Sequence, residues 1–501
     1  MKRTITQKIT AFFGSNTFLY LVLGFFLLNA LWIVFSGVYP MAFDEDFHFG
    51  IIKIYASHWS PFLASQPPNA NAFGAVVRDP SYLYQYLMSF PYRLLTHLTS
   101  NQAAQVIILR LMNVAMFTGA LLLFRRLLLR VHVSRAMTHV ALAVYVLIPI
   151  VPFLAAHINY DNLLLLVLPG VFLLFLTCVE KLKQGTLDLK RFLLLGSLCL
   201  LASLIKYAFL PIFAAICIYI VYLAIHALHT RGKAPVAAMV RAGWQAASKK
   251  TVAGLVILLV VSAGLFVQRY GINMLRYHNP IPACDAVLDE NACMAYGPWG
   301  RDYAYAQSKA DPDDSLLFVF TPQWVKGLWF RSFFAVNGPA SGYDTRLPLP
   351  IPEWAMVAVA VPALGCAIWY WRRIRRSSPM LDVFLLAIVV YIVALWLDDY
   401  SMYLYTGQPV AVNGRYLLPI LLLMAAILGP AVSVALRKVP KAKPVLVSLF
   451  LLVVFLEGGG ALTYIVRSDA TWNWQNRVVI DANNALRTIA KPFVIEGPND
   501  R

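Results

Sequence analysis

The chain has 501 residues, 60% of them hydrophobic and only 13% charged, with a mean hydropathy of +0.66. That composition excludes a soluble domain and puts the whole chain in the class of all-α polytopic membrane proteins. The formal net charge of +18 would suit nucleic acid, but the charges sit at the ends of apolar spans, which excludes that partner in favour of a lipid bilayer.

Eleven transmembrane spans are expected, at about 17–38, 104–124, 136–155, 161–179, 192–205, 207–227, 251–268, 353–371, 381–397, 416–436 and 444–465. Lys2, Arg3 and Lys8 before an apolar run of roughly 20 residues read as a start-transfer anchor rather than a cleaved signal. Six short segments (1–8, 125–135, 180–191, 228–250, 372–376 and 437–443) carry 24 of the 42 Lys and Arg and two acids, Glu180 and Asp188. The positive-inside bias puts all six, and the N-terminus, in the cytoplasm. Residues 192–225 contain one charge, Lys206, and read either as one overlong helix or as two short ones; a turn near Lys206, with Pro211 early in the second, is preferred.

This topology sends Asp44 to Asp46, Asp161, Asp285 to Glu290, Asp311 to Asp314 and Asp398-Asp399 to the outer face. The two long loops, 39–103 and 269–352, lie there too and form a cap with short amphipathic helices. Residues 1–465 make one transmembrane domain, and 466–501, with Trp472 and Trp474, a small outer tail.

The chemistry-bearing groups follow in chain order. Phe43-Asp44-Glu45-Asp46-Phe47-His48-Phe49 places three carboxylates and an imidazole at the membrane edge, where charge is costly unless paired, solvated or useful. Asp44 and His48 are four apart, so a helix would put them on one face. Ile51 to Trp59 reads as a short amphipathic helix with Tyr55 and Trp59 as interfacial anchors. Arg78-Asp79-Pro80-Ser81-Tyr82-Leu83-Tyr84 is either an aromatic belt or part of a binding surface. In His157-Ile158-Asn159-Tyr160-Asp161-Asn162, Asp161 either caps a helix or faces the first acidic cluster across an outer cavity.

Lys206-Tyr207 either snorkels or supplies a cation to a phosphate arriving from the lipid. Arg415, in Asn413-Gly414-Arg415-Tyr416, stands after a flexible glycine at the mouth of a span; it pairs with Asp398-Asp399 or lipid headgroups, or clamps a phosphate. Aromatic and polar residues mix in 269–352, a blend that suits sugars and ordinary loops alike. Cys284 and Cys293 read as a disulfide if the outside is oxidising, since two thiolates make an incomplete metal site. Cys178, Cys199, Cys217 and Cys366 lie in spans as packing residues. Neither GxxxxGK[ST] nor HExxH is present, which argues against ATP-driven transport and the commonest membrane metalloproteases.

Asp44-Glu45-x-x-His48-Phe49 after the first span resembles the acidic outer-loop motif of the GT-C superfamily of integral membrane glycosyltransferases. Within it the likeness is greatest to bacterial multi-span proteins of the DUF2142 type. Asp79-Pro80-Ser81-Tyr82-Leu83-Tyr84, Asn159-x-Asp161, Lys206-Tyr207-Ala208-Phe209-Leu210-Pro211 and Gly414-Arg415-Tyr416-Leu417-Leu418-Pro419 resemble further elements of those proteins, in the same order. Asp46 falls at a variable position of the motif.

The resemblance implies a GT-C-like fold in the bacterial inner membrane with its active site facing the periplasm or exterior. The implied reaction transfers a sugar from a polyprenyl-phosphate-linked donor to a cell-envelope glycan or lipid acceptor. Asp44 would be the general base, Glu45 and His48 would orient it or the acceptor, and Asp161 would be a second acidic partner. Lys206 and Arg415 would bind the leaving phosphate, with Tyr207, Tyr416, His157, Asn159, Arg78 and Tyr82 as further substrate-binding candidates. No cofactor is certain; a divalent metal, Mg or Mn, on Asp44 and Glu45, with Asp161 as a further oxygen ligand, is an option that spacing does not decide. The competing function is a lipid-linked sugar flippase or solute transporter, which calls for polar groups at mid-membrane and paired helix breaks; a non-catalytic assembly partner is the third.

Overall fold

A computed structural model describes residues 4–41, 44–245, 248–309, 316–336, 346–378, 380–435, 442–458, 464, 468, 470–490 and 492. Phe43, the Asp311 to Asp314 cluster and residues 493–501 of the tail lie outside them. Eight helices are long and apolar enough to cross a membrane: Asn16–Ser36, Gln102–Arg130, Tyr160–Lys183, Tyr207–Arg231, Lys249–Tyr277, Pro350–Trp369, Leu381–Thr406 and Gly414–Ala435. At 1.5 Å per residue the first of these is about 32 Å long, enough for a hydrocarbon core of about 30 Å. The chain is a multi-pass α-helical membrane protein.

The other three expected spans fall on shorter helices. Residues 136–155 are broken into Arg135–Leu147 and Ile150–Ala155, and the remaining two are the 17-residue helices Leu189–Ile205 and Ala442–Gly458. Pro149 and Pro152 account for the break, since proline removes a backbone donor. Two expected boundaries also move. The fifth long helix runs on to Tyr277 through a π-helical turn, Val267–Gly271. Leu381–Thr406 carries Asp398 and Asp399 on the helix itself rather than in a loop.

Polar side chains set the helix starts. Ser15, Asn101 and Asn159 each accept a hydrogen bond from a free N–H of the first turn, from Phe18, Ala104 and Asp161. Arg130, Lys181 and Lys183 close two of the helices at the negative end of the helix dipole. Lys206 stands in extended backbone between Leu189–Ile205 and a 3₁₀ turn, Tyr207–Phe209, that leads into Leu210–Arg231. The two-helix reading of residues 192–225 therefore holds.

Gln102–Arg130 packs along Tyr160–Lys183 and against Asn16–Ser36; Leu189–Ile205 lies between Tyr160–Lys183 and Lys249–Phe266. Leu210–Arg231 pairs with Leu381–Thr406, and Pro350–Trp369 with Leu418–Ala435 and Ala442–Gly458. One apolar core runs through these helices, and a small second one, around Phe320, Trp324, Leu328, Tyr403 and Val412, sits under the second loop.

The first loop forms Glu45–Ala56 and Leu83–Leu98, packed on each other. Tyr55 is not an interfacial anchor: it is fully buried against the rings of Tyr82 and Tyr86. Trp59 is exposed, with the Arg93 guanidinium stacked over it. The second loop holds short helices, among them Gly297–Ser308 and Thr321–Phe330, and a small antiparallel pair, Phe334–Val336 with Arg346–Pro348. The tail packs back on the first long helix. Val38 N–H donates to Trp472 and Trp474 N–H to Ser36, the Trp32 indole donates to Asn483, and Trp472 is buried.

Candidate functional site

The DExxH segment is held by a residue from the next long helix. Arg110 donates from Nε to Glu45 Oε1 (2.8 Å) and from Nη2 to Oε2 (2.6 Å), with both side chains fully buried. Its Nη1 also donates to Gly37 O (2.5 Å) and its Nη2 to Val38 O (3.3 Å), the carbonyls that follow the first long helix. Glu45 accepts two more bonds, from Met41 N (2.9 Å) and Ile158 N (3.2 Å). Burial would raise the Glu45 carboxyl, but the Arg110 charge and hydrogen bond outweigh it and keep it below the usual range. Four chain segments meet on this one ion pair. Glu45 thus positions Asp44 from behind and offers no oxygen to a substrate.

Asp44 begins the Glu45–Ala56 helix with left-handed backbone, φ 65° and ψ 28°, and its carbonyl accepts from His48 N. That conformation is uncommon outside glycine and best tolerated by Asn and Asp. Its Oδ2 accepts from Arg415 Nη2 at 2.6 Å. The side chain is 34% exposed, and Oδ1 makes no hydrogen bond among the described residues. Burial would raise this carboxyl too; the Arg415 charge and hydrogen bond, with Lys206 further off, hold it below the ordinary aspartate value. Asp44 is therefore ionised at neutral pH with one oxygen open.

His48 is buried, its ring edge-on to Tyr160 with centroids 4.4 Å apart. With Gln85 donating to Ser81 O and Tyr82 O, its amide oxygen accepts from His48 Nδ1 at 3.1 Å. This fixes the proton on Nδ1 and leaves Nε2 as the acceptor. Burial pushes the imidazole down to about 3, so it is neutral.

The second pair lies beside the first. Asn159, not Asp161, caps the Tyr160–Lys183 helix, and Asp161 Oδ1 accepts from Lys206 Nζ at 2.6 Å, both side chains being buried. Asp161 Oδ2 is buried without a hydrogen-bond partner among the described residues. The Lys206 ammonium lies over the rings of Tyr160 (4.6 Å) and Tyr416 (5.1 Å), and the Arg415 guanidinium over Tyr416 (5.4 Å). Lys206 does not snorkel. Tyr207 is partly exposed next to it, with its backbone N–H on Ser81 Oγ.

Arg415 does not pair with Asp398 or Asp399; Asp399 accepts instead from the Trp324 indole at 2.6 Å. Gly414 is needed for close approach rather than flexibility: a Cβ there would lie 2.0 Å from Ser332 Oγ and 2.8 Å from Ser332 N. Asn413 accepts from Arg415 N as Asn159 does from Asp161 N, so the same Asx turn presents both charged side chains. His157 and Asn159 are fully buried behind Glu45, His157 bonded through Nδ1 to Phe153 O. Tyr82 is buried under Arg269, and Arg78 is half-buried. Asp46 is exposed. Cys284 and Cys293 form a disulfide, Cα–Cα 5.8 Å.

Arg110, Gln85, Tyr160 and Arg269 were not among the expected site residues. Arg269 is fully buried and donates to the carbonyls of Val77 and Pro61, tying the first loop to the fifth long helix. A lone charge in an otherwise apolar span signals a built partner; Arg110 carries that signal, whereas Arg269 stands just past the expected end of its span.

Of the carboxylates considered for a divalent ion, Glu45 offers it no oxygen. Both Glu45 oxygens are on Arg110 and backbone N–H groups, and one Asp44 oxygen is on Arg415. Asp44 Oδ1 and Asp161 Oδ2 remain as carboxylate oxygens without a hydrogen-bond partner among the described residues, and Mg²⁺ keeps several waters and is bound through one or two carboxylates. Comparison with protein-family models, with curated proteins and with solved structures finds no match. Chemically, the arrangement offers an ionised carboxylate with one oxygen unpartnered among the described residues, a neutral imidazole acceptor, and two cations already balanced by carboxylates.

Proposed function

We propose that the chain is an integral membrane glycosyltransferase that uses a polyprenyl-phosphate-linked sugar and acts at the outer face of a bacterial inner membrane. Its acceptor is a cell-envelope glycan or lipid. The observation that carries this proposal is the convergence of two carboxylate–cation pairs, Asp44–Arg415 and Asp161–Lys206, around Tyr160 and Tyr416 at the edge of the apolar bundle. In the proposed step the acceptor hydroxyl attacks the sugar anomeric carbon and its proton passes to Asp44 Oδ1. The carbon–oxygen bond to the lipid phosphate breaks, and the phosphate keeps the electron pair. Arg415 and Lys206 balance the charge that develops on it.

His48 Nε2 suits a hydrogen bond from another hydroxyl of the acceptor, and Tyr416 or Tyr160 a sugar face. General-base help of this kind is worth about 10²–10⁴-fold. The test is transfer by the purified protein in lipid nanodiscs with a panel of polyprenyl-phosphate sugars and envelope acceptors. Asp44→Asn, which keeps shape and removes the base, is expected to lose at least about 10²-fold in kcat. Full transfer by that variant would refute the assignment of the base.

A further inference from the structure

At the opposite, basic end of the bundle three helices border an open groove of about 420 Å³. Arg126 and Arg130 of Gln102–Arg130 and Arg191 of Leu189–Ile205 form its rim, and Leu173, Leu174, Leu194 and Leu198 line it below. Its polar and apolar parts therefore follow one another along the helices, as headgroup and chain do in a phospholipid. Arg126 is exposed and makes no ion pair among the described residues. Arg130 and Arg191 pair with Glu180 and Asp188, and both pairs are partly open to solvent, so each arginine can turn to a new anion at modest cost. Lys181, Lys183 and Lys190 add positive charge on the same turns. Gly170 lines the groove, and the space beside its backbone is open: a Cβ there would meet no atom within 4 Å.

We propose that this groove holds an anionic phospholipid, its phosphate between Arg126, Arg130 and Arg191 and one acyl chain along Leu173, Leu174 and Leu198. Guanidinium groups match phosphate oxygens in two-pronged geometry. Basic clefts between transmembrane helices at the cytoplasmic edge select acidic headgroups. The occupant is a lipid and not a soluble phosphate because the leucine wall continues the rim into the hydrocarbon.

Native mass spectrometry of the full chain, exchanged into detergent with phosphatidylglycerol, cardiolipin or phosphatidylcholine, tests the site. Retention of the two anionic lipids and not of phosphatidylcholine is expected. Arg126→Gln/Arg130→Gln/Arg191→Gln should weaken it roughly 100-fold, at about a factor of five for each arginine near the surface. Gly170→Leu fills the apolar part without touching a charge and should also lose the lipid, which keeps the test decisive if the triple variant does not fold. Unchanged retention in Gly170→Leu, or displacement of the lipid by millimolar inorganic phosphate, would overturn the proposal.

Discussion

Replacing Arg110 by methionine isolates the ion pair on which the acidic segment rests. The change leaves Glu45 fully buried with only two backbone donors, Met41 N and Ile158 N. A buried charge that loses its partner costs about 3–5 kcal/mol. The lost bonds to Gly37 and Val38 carbonyls add about 1 kcal/mol each. At about 2 °C per kcal/mol for a large chain, thermal unfolding in detergent should fall by roughly 10–14 °C.

The double variant Arg110→Met/Glu45→Met separates charge from packing. It also lacks the carbonyl contacts, but no uncompensated carboxylate remains, and an apolar pair of similar volume is often neutral to stability. The double variant should recover at least about 2 kcal/mol of the single variant's loss, a coupling measurable by a double-mutant cycle. If it melts no higher than Arg110→Met, the pair is not the constraint described here.

Acid should weaken the fold before its carboxylates titrate. Burial holds His48 and His157 down to about 3 and about 4, while in the unfolded chain they take up protons near pH 6.5; stability is full above that pH and falls by roughly 1.4 kcal/mol per pH unit for each as pH drops toward the folded values. Melting temperatures at pH 7 and pH 5 should show that loss, and a flat profile would contradict neutral burial of both rings. Alkylation in denaturant without reductant should label four cysteines, Cys178, Cys199, Cys217 and Cys366, and six after reduction. Six labels without reductant would remove the Cys284–Cys293 bond.

Much of the bundle was legible because apolar length is a property of one segment at a time. Asn16–Ser36 and Tyr160–Lys183 follow from runs of about 20 apolar residues, and the turn at Lys206 from the one charge in its stretch. What pattern could not reach is pairing across distant segments. Arg110 lies 65 positions from Glu45 and Arg415 371 from Asp44; a glutamate fixed by four donors and an aspartate with a free oxygen are both simply acids in a DExxH motif. Local chemistry also left roles open where two neighbours compete for one. Asn159 takes the cap that Asp161 could have filled, which leaves Asp161 to Lys206. Prolines 149 and 152 divided a span that hydropathy alone joined.

The proposed function makes Asp44 a base whose strength changes during the reaction. Before the donor binds, Arg415 holds its carboxyl below the ordinary value, so it is charged but a weak acceptor of protons. A lipid phosphate drawing the Arg415 guanidinium toward itself removes the largest cause of that depression, and the partly buried carboxylate then rises toward the pH at which it accepts a proton well. The pH dependence of kcat/KM for the donor reports the free enzyme, that of kcat the donor complex. The acid limb of kcat should therefore lie at higher pH than that of kcat/KM, and Arg415→Gln should bring the two together. Coincident acid limbs in the unsubstituted protein would mean that Arg415 keeps its hold on Asp44 throughout, and that the proton goes elsewhere.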